Sequence, residues 1–242
     1  MMSGLLASVC SVKEARLALA YGADIIDCKN PHEGALGALD AREIRLIVMN
    51  IAGLRPVSAT IGDVHNPDVL GEAIQAVSAT GVDFIKVGLF DEQHAEHCLE
   101  VLADCSGKHR LIAVCFADRF DPTPLLGDMA ARGLAGVMMD TADKAAGRLT
   151  EVWCERQCTN FVSQARNEGL ICGLAGRLHL TDIAKLLPHG ADYLGFRSAL
   201  CGGNRKTHLR GNALRRVRNA MPRQEVTSNM PLIKGYRAVA LS

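Results

Sequence analysis

Four stretches of the chain restate one pattern: Gly22-Ala-Asp-Ile-Ile-Asp-Cys-Lys29, Gly81-Val-Asp-Phe-Ile-Lys-Val87, Gly133-Leu-Ala-Gly-Val-Met-Met-Asp140 and Gly190-Ala-Asp-Tyr-Leu-Gly-Phe-Arg197. Their leading glycines stand 59, 52 and 57 residues apart. Each follows an amphipathic stretch and opens a short apolar run. A glycine accepts the left-handed backbone that ends a helix. The run behind it is short and β-rich, as in a strand covered on both faces. Between the four copies lie four more candidate strands, Leu5–Val9, Val57–Ile61, Leu111–Phe116 and Ile171–Ala175. Helical patterns separate them, among them Val12–Tyr21, Pro67–Ala79, Glu92–Ala103, Pro124–Arg132 and Leu149–Glu168.

Strands alternating with helices at this spacing predict a parallel sheet. Eight such units, in pairs repeating near every 56 residues, predict one closed (β/α)8 TIM barrel over residues 1–222, with 223–242 as a C-terminal tail. The competing architecture is an open doubly wound sheet. It is disfavoured because no Gly-x-Gly-x-x-Gly follows the first strand.

Bulk composition narrows the class further. The 242 residues are 48% hydrophobic and 22% charged, with a formal net charge of +1. That length buries a sizeable core. That balance gives no reason to expect nucleic acid or an anionic membrane as partner. The nine cysteines are odd in number and include no Cys-x-x-Cys. Cys28, Cys115 and Cys172 fall inside apolar runs, where a thiol acts as a small hydrophobe. A reducing cytoplasm is the expected compartment. The N-terminus lacks a basic region and reads as a first strand, not a signal peptide. No apolar run reaches the roughly 18 residues that cross a bilayer.

Barrels carry their chemistry at the C-terminal ends of the strands. Strand two ends with Asp27 and Lys29, two apart and so on one side of the sheet. Strand four carries Lys86 among apolar residues. Asp118 follows strand five, Asp140 ends strand six and Lys144 stands four residues later. One buried lysine can be structural, a barrel-filling cation paired with an aspartate. Three lysines and three aspartates converging on one end predict catalysis. A free lysine amine has a pKa near 10.4, and bringing it to about 7.5 takes roughly 4 kcal/mol. Neighbouring cations and desolvation can supply that. A neutral lysine attacks carbonyls; a charged one protonates an oxygen or holds phosphate. The residues alone leave open which lysine is which.

Barrels also bind phosphate with the loops after strands seven and eight. Here these contain Gly176 and, further on, Arg197, Gly202 and Gly203. Glycines admit close backbone N–H groups, and arginine adds bidentate contacts. Gly176, Arg197, Gly202, Gly203 and Asp118 are therefore the candidate substrate and phosphate contacts. His94-x-x-His97-Cys98 has metal-ligand spacing, but with Asp91, Glu92 and Glu96 it reads as a solvated helix face. His65 reads as a loop bystander and Trp153 as packing.

Several of these stretches resemble a known family. Asp-x-Lys-Asn-Pro-x-Glu-Gly-x-Leu-Gly-Ala (27–38), Val-Ser-Ala-Thr-Ile-Gly-Asp (57–63), Ile-Lys-Val-Gly-Leu (85–89), Met-Asp-Thr-Ala-x-Lys (139–144) and Leu-Ala-Gly (174–176) resemble the (5-formylfuran-3-yl)methyl phosphate synthases. The resemblance runs from about residue 5 to 218 and departs in the tail and in the loop after strand eight. It implies a lyase of methanofuran-type cofactor biosynthesis. Such an enzyme joins two molecules of glyceraldehyde 3-phosphate with loss of phosphate and water. The resemblance implies Lys29 as the Schiff-base lysine, with Asp27, Lys86, Asp140 and Lys144 as its companions. No redox cofactor and no metal is expected. The expected partner is a small triose phosphate, in a homo-oligomer. The alternatives are a Schiff-base aldolase acting on another sugar phosphate, and a sugar-phosphate-binding barrel without turnover.

Overall fold

A computed structural model describes residues 3–143 and 146–222. Lys144 and the 223–242 tail therefore lie outside the described residues. Eight strands alternate with helices: β1 (Gly4–Val9), α1 (Val12–Ala20), β2 (Ile25–Cys28), α2 (Ala41–Ile51), β3 (Val57–Thr60), α3 (Leu70–Ser78), β4 (Phe84–Leu89), α4 (Glu92–Ser106), β5 (Leu111–Phe116), α5 (Leu126–Ala131) and β6 (Gly136–Asp140). Then come α6 (Leu149–Val152), α7 (Glu155–Asn167), β7 (Ile171–Leu174), α8 (Ile183–Leu186), β8 (Tyr193–Phe196) and α9 (Gly211–Ala220). All strands pair in parallel with their sequence neighbours, and β8 pairs with β1, so the sheet is a closed barrel.

Period two sorts the strand residues into two apolar layers. Leu6, Ile25, Phe84, Ile112, Val114, Met138, Ile171 and Tyr193 fill the barrel interior. Leu5, Ala7, Ile26, Val87, Ala113, Met139 and Leu194 face the helices. Gly173 makes the interior layer possible, since a Cβ there would lie 2.3 Å from the Tyr193 ring.

The repeat has a structural meaning at the opposite, N-terminal end. Gly22, Gly81, Gly133 and Gly190 all take positive φ, between 75° and 85°. In three copies the aspartate two residues on caps the neighbouring strand. Asp24 accepts from the Leu5 N–H at 2.7 Å, Asp83 from Val57 at 2.8 Å and Asp192 from Cys172 at 2.8 Å. The Gly-x-Asp signature thus sets the bottom of the barrel, while residues three to five positions later reach the top.

One expected element differs. The pattern Leu149–Glu168 is not one helix but α6 and α7, broken where Trp153 turns extended (φ −108°, ψ 136°). The Trp153 indole N–H reaches the Ala117 carbonyl at 3.2 Å and its ring packs edge-on against Phe161. Tertiary packing of one large side chain here overrides helical periodicity. No helix among the described residues is long and apolar enough to cross a membrane.

Candidate active site

The C-terminal mouth of the barrel opens into a cavity walled by Asp27, Lys29, Lys86, Asp140, Gly176 and Arg205 among others. Strand register builds its deepest part. Ser8, Asp27 and Ser58 are cross-strand partners on β1, β2 and β3. Both hydroxyls donate to the Asp27 carboxylate, at 2.8 and 2.6 Å. Lys86 completes the cluster with its Nζ 2.8 Å from Asp27 Oδ1, and the two side chains are only 3% and 2% exposed. Burial by itself pushes the Asp27 carboxyl up. The Lys86 ammonium and the hydrogen bonds from Lys86 and Ser58 outweigh it and hold Asp27 below the usual carboxylate range.

A second pair lies nearer solvent. Lys29 Nζ stands 3.4 Å from Asp140 Oδ2, and both side chains are 15% exposed. The other Asp140 oxygen accepts from the Thr141 N–H at 2.8 Å. The loop behind it is shaped by Asp118, which accepts from the backbone N–H groups of Ala142 and Asp143 at 2.8 and 2.7 Å. Asp118 is not part of the cavity wall. It was expected to touch substrate; the structure gives it the loop instead.

The phosphate expectations divide in the same way. Gly176 lines the cavity with φ 106°, and a Cβ there would come within 3.0 Å of Thr141. Beside it Arg177 takes φ 50°, a left-handed conformation that costs a non-glycine residue roughly 1 kcal/mol. Arg197 was expected to grip phosphate, but its guanidinium is committed within the protein. It pairs with Glu14 through both terminal nitrogens and donates to the carbonyls of Ser8, Arg205 and Thr207. No N–H of the fork is left for a ligand. Gly202 and Gly203, at φ 75° and 104°, turn the loop outside the cavity wall.

The sequence does not single out three contributors, although one of them, Arg205, lies in the loop after strand eight expected to bind phosphate. Ser8 and Ser58 are small polar residues at inward positions of apolar strands, a signal that period-two reading could have raised. Arg205 reaches from the β8 loop across the mouth. Its Nη2 donates to the Gly34 carbonyl at 2.7 Å and to Pro31 at 3.1 Å.

Those carbonyls belong to the β2–α2 loop, which roofs the site. Asp63 holds the loop by accepting from the N–H groups of Ala35 and Leu36 at 2.9 and 2.7 Å. Thr60 Oγ1 donates to the Gly37 carbonyl at 2.9 Å. A Cβ at Gly37 would lie 2.0 Å from the Glu33 carbonyl, so only glycine fits. Leu36, 1% exposed, closes the top of the inner apolar layer. The long motif at 27–38 therefore encodes two charged side chains of the cavity wall, Asp27 and Lys29, and the roof above them.

The histidines stand apart from this cluster. His65 and His94 pack against Phe90, with ring centroids 4.2 and 5.4 Å away. His97 has the Gln93 carbonyl 2.8 Å from its Nδ1.

Comparison with known proteins adds a family. Residues 5–218 match the family profile described as 4-HFC-P synthase. A Methylorubrum extorquens protein, named provisionally as a (5-formylfuran-3-yl)methyl phosphate synthase, is 39% identical over 218 residues, covering 90% of this chain and 91% of its own. The (5-formylfuran-3-yl)methyl phosphate synthase of Methanopyrus kandleri is 36% identical over 233 residues, covering 90% and 98%. Among solved structures, a 3-hexulose-6-phosphate synthase superposes with a TM-score of 0.64 at 15% identity, covering 90% of this chain and all of that one. That likeness speaks for the barrel fold alone.

Proposed function

Because this chain belongs to the 4-HFC-P synthase family and is an enzyme, we propose that it condenses two molecules of glyceraldehyde 3-phosphate into (5-formylfuran-3-yl)methyl phosphate. Phosphate and water are lost, and the product feeds methanofuran-type cofactor biosynthesis. One observation carries the chemical part. Of the two described lysines in the cavity, only Lys29 pairs accessibility with a loosely held amine.

Lys86 is 3% exposed and clamped at 2.8 Å, whereas Lys29 is 15% exposed with its acid at 3.4 Å. In this reading the Lys29 amine attacks the aldehyde carbon of the first triose phosphate. The carbinolamine loses water and leaves an iminium. The iminium acidifies the adjacent carbon, and Asp140, already against Nζ, is placed to take that proton. The resulting enamine adds to the aldehyde of the second molecule. Elimination of phosphate, dehydration and release of the lysine close the furan. Lys86 and Asp27 fix the floor electrostatically, and Lys144 moves protons or holds phosphate.

Borohydride reduction in the presence of glyceraldehyde 3-phosphate, followed by peptide mass spectrometry, tests the covalent step. An adduct on Lys29 is expected, and an unmodified Lys29 would sink it. Furan ultraviolet absorbance together with inorganic phosphate release tests the overall reaction. A product that keeps all its phosphate would instead indicate an aldolase.

A further inference from the structure

We propose that Arg205 is the anion-reading residue of this site: one edge of its guanidinium latches the roof while the other receives a substrate phosphate. The inference rests on the reading of the cavity as a phosphorylated-aldehyde site. Arg205 lines that cavity and is half-buried. Its Nε and Nη2 donate only to the Pro31 and Gly34 carbonyls, at 2.7 to 3.3 Å. Its Nη1 has no protein acceptor among the described residues, and no carboxylate there forms an ion pair with it. The other buried cations of the site are matched: Lys86 by Asp27, and Arg197 by Glu14.

A desolvated cation bonded only to carbonyl dipoles lacks a counter-ion, and a cavity beside it invites one. Asp140 and Asp63 act on it only at longer range, against Arg197 and Arg177. Burial pulls its pKa down, the direction expected of a cation short of anions. Backbone geometry aims the side chain. Arg197 Nε grips the Arg205 carbonyl at 2.9 Å, and Arg197 is itself anchored on Glu14. The committed arginine thus positions the uncommitted one. Because the latch partners are roof carbonyls, phosphate on Arg205 would lie directly under the loop that bears Leu36.

The test compares the full-length wild type, Arg205→Gln and Arg205→Lys. Borohydride trapping is measured with glyceraldehyde 3-phosphate and with unphosphorylated glyceraldehyde, and inorganic phosphate is titrated calorimetrically. Loss of one charge-assisted hydrogen bond should raise the half-saturating concentration of glyceraldehyde 3-phosphate by about tenfold or more in Arg205→Gln, and weaken inorganic phosphate by about as much. Glyceraldehyde should lose several-fold less than glyceraldehyde 3-phosphate does, since it has no phosphate to lose and a loosened roof weakens both aldehydes alike. Arg205→Lys should fall between, keeping the charge but not the fork. Equal losses with both aldehydes would leave Arg205 only the roof and overturn the proposal, as would no change with either. If neither aldehyde traps on wild type, the Schiff-base reading fails by itself. The phosphate titration then decides Arg205, and undiminished binding in Arg205→Gln, or none in wild type, refutes its role.

Discussion

The barrel mouth holds two lysine–aspartate pairs drawn from the same three strands, and they differ in depth. Asp27 and Lys86 meet at 2.8 Å with almost no exposure, and Ser8 and Ser58 occupy the carboxylate's remaining positions. Lys29 and Asp140 meet at 3.4 Å, each 15% exposed, with the cavity beside them. A buried, fully bonded pair is costly to break and slow to change partner. A partly exposed, loosely bonded pair contributes less stability and is freer to change its partner. The same residue types therefore divide between a buried, fixed pair and a more accessible, loosely held one.

The largest test of this division is Lys29→Ala. It should lower turnover by about 10⁶-fold, on the scale seen for loss of a catalytic nucleophile. The midpoint of thermal unfolding should move by only about 2–4 °C, because a partly exposed, loosely held pair contributes about 1 kcal/mol. A large fall in melting temperature would erase the contrast.

Lys86→Met should do the reverse in stability. It strands the Asp27 carboxylate, at a cost of about 3–5 kcal/mol. For a chain of this size that is on the order of 6–20 °C, readable by calorimetry. Adding Asp27→Leu should recover part of this, since replacing both partners removes the unpaired charge, though Ser8 and Ser58 then lose their acceptor. If the double variant is no better than Lys86→Met, the cost lies in packing and not in charge.

A smaller effect is expected from Asp118→Ala, which leaves two loop N–H groups without their acceptor. Denaturant titration should show a loss of about 1–2 kcal/mol. Turnover should fall more than the affinity for substrate changes, because Asp140 and the loop after it lose their support.

The finest comparison is in acid. The Asp27 carboxyl is held below its usual range, so its contribution is present above the unfolded carboxylate pKa, about 3.9. That contribution is lost as pH falls from there through the folded value. In Lys86→Met burial acts on Asp27 without its main opponent, and the shift should reverse. The penalty of that substitution should therefore shrink as pH falls, from the raised Asp27 pKa of the variant down to about 3.9 and on through the lowered one of the wild type. Urea midpoints of the two proteins between about pH 3 and 6 would show the curves converging, and parallel curves would contradict the assignment.

Much of the fold was legible because its signals are local. Glycine at a helix end and period-two strands act within a few residues, and the Gly-x-Asp copies repeat them. The helix break at Trp153 was not legible, since its cause is Ala117, a carbonyl 36 positions away. At the site, the polar residues at strand tips were visible as exceptions in apolar runs. Which of them keep hydrogen-bonding groups to spare was not. Asp118 and Arg197 carry the expected charge, but backbone groups and Glu14 consume it.

Sequence alone determined the closed eight-unit barrel and the gathering of Asp27, Lys29, Lys86 and Asp140 at one end. Parallel strands leave no other place for their C-terminal tips. Tertiary structure decided the pairing of acids with amines, because barrel closure sets the cross-barrel distances and neither strand pattern nor spacing does. It also decided the fates of the two arginines. Glu14 meets Arg197 across 183 residues, and Gly34 meets Arg205 across 171. Contacts at that separation exist only once the ring of strands has closed and brought the first and last loops side by side.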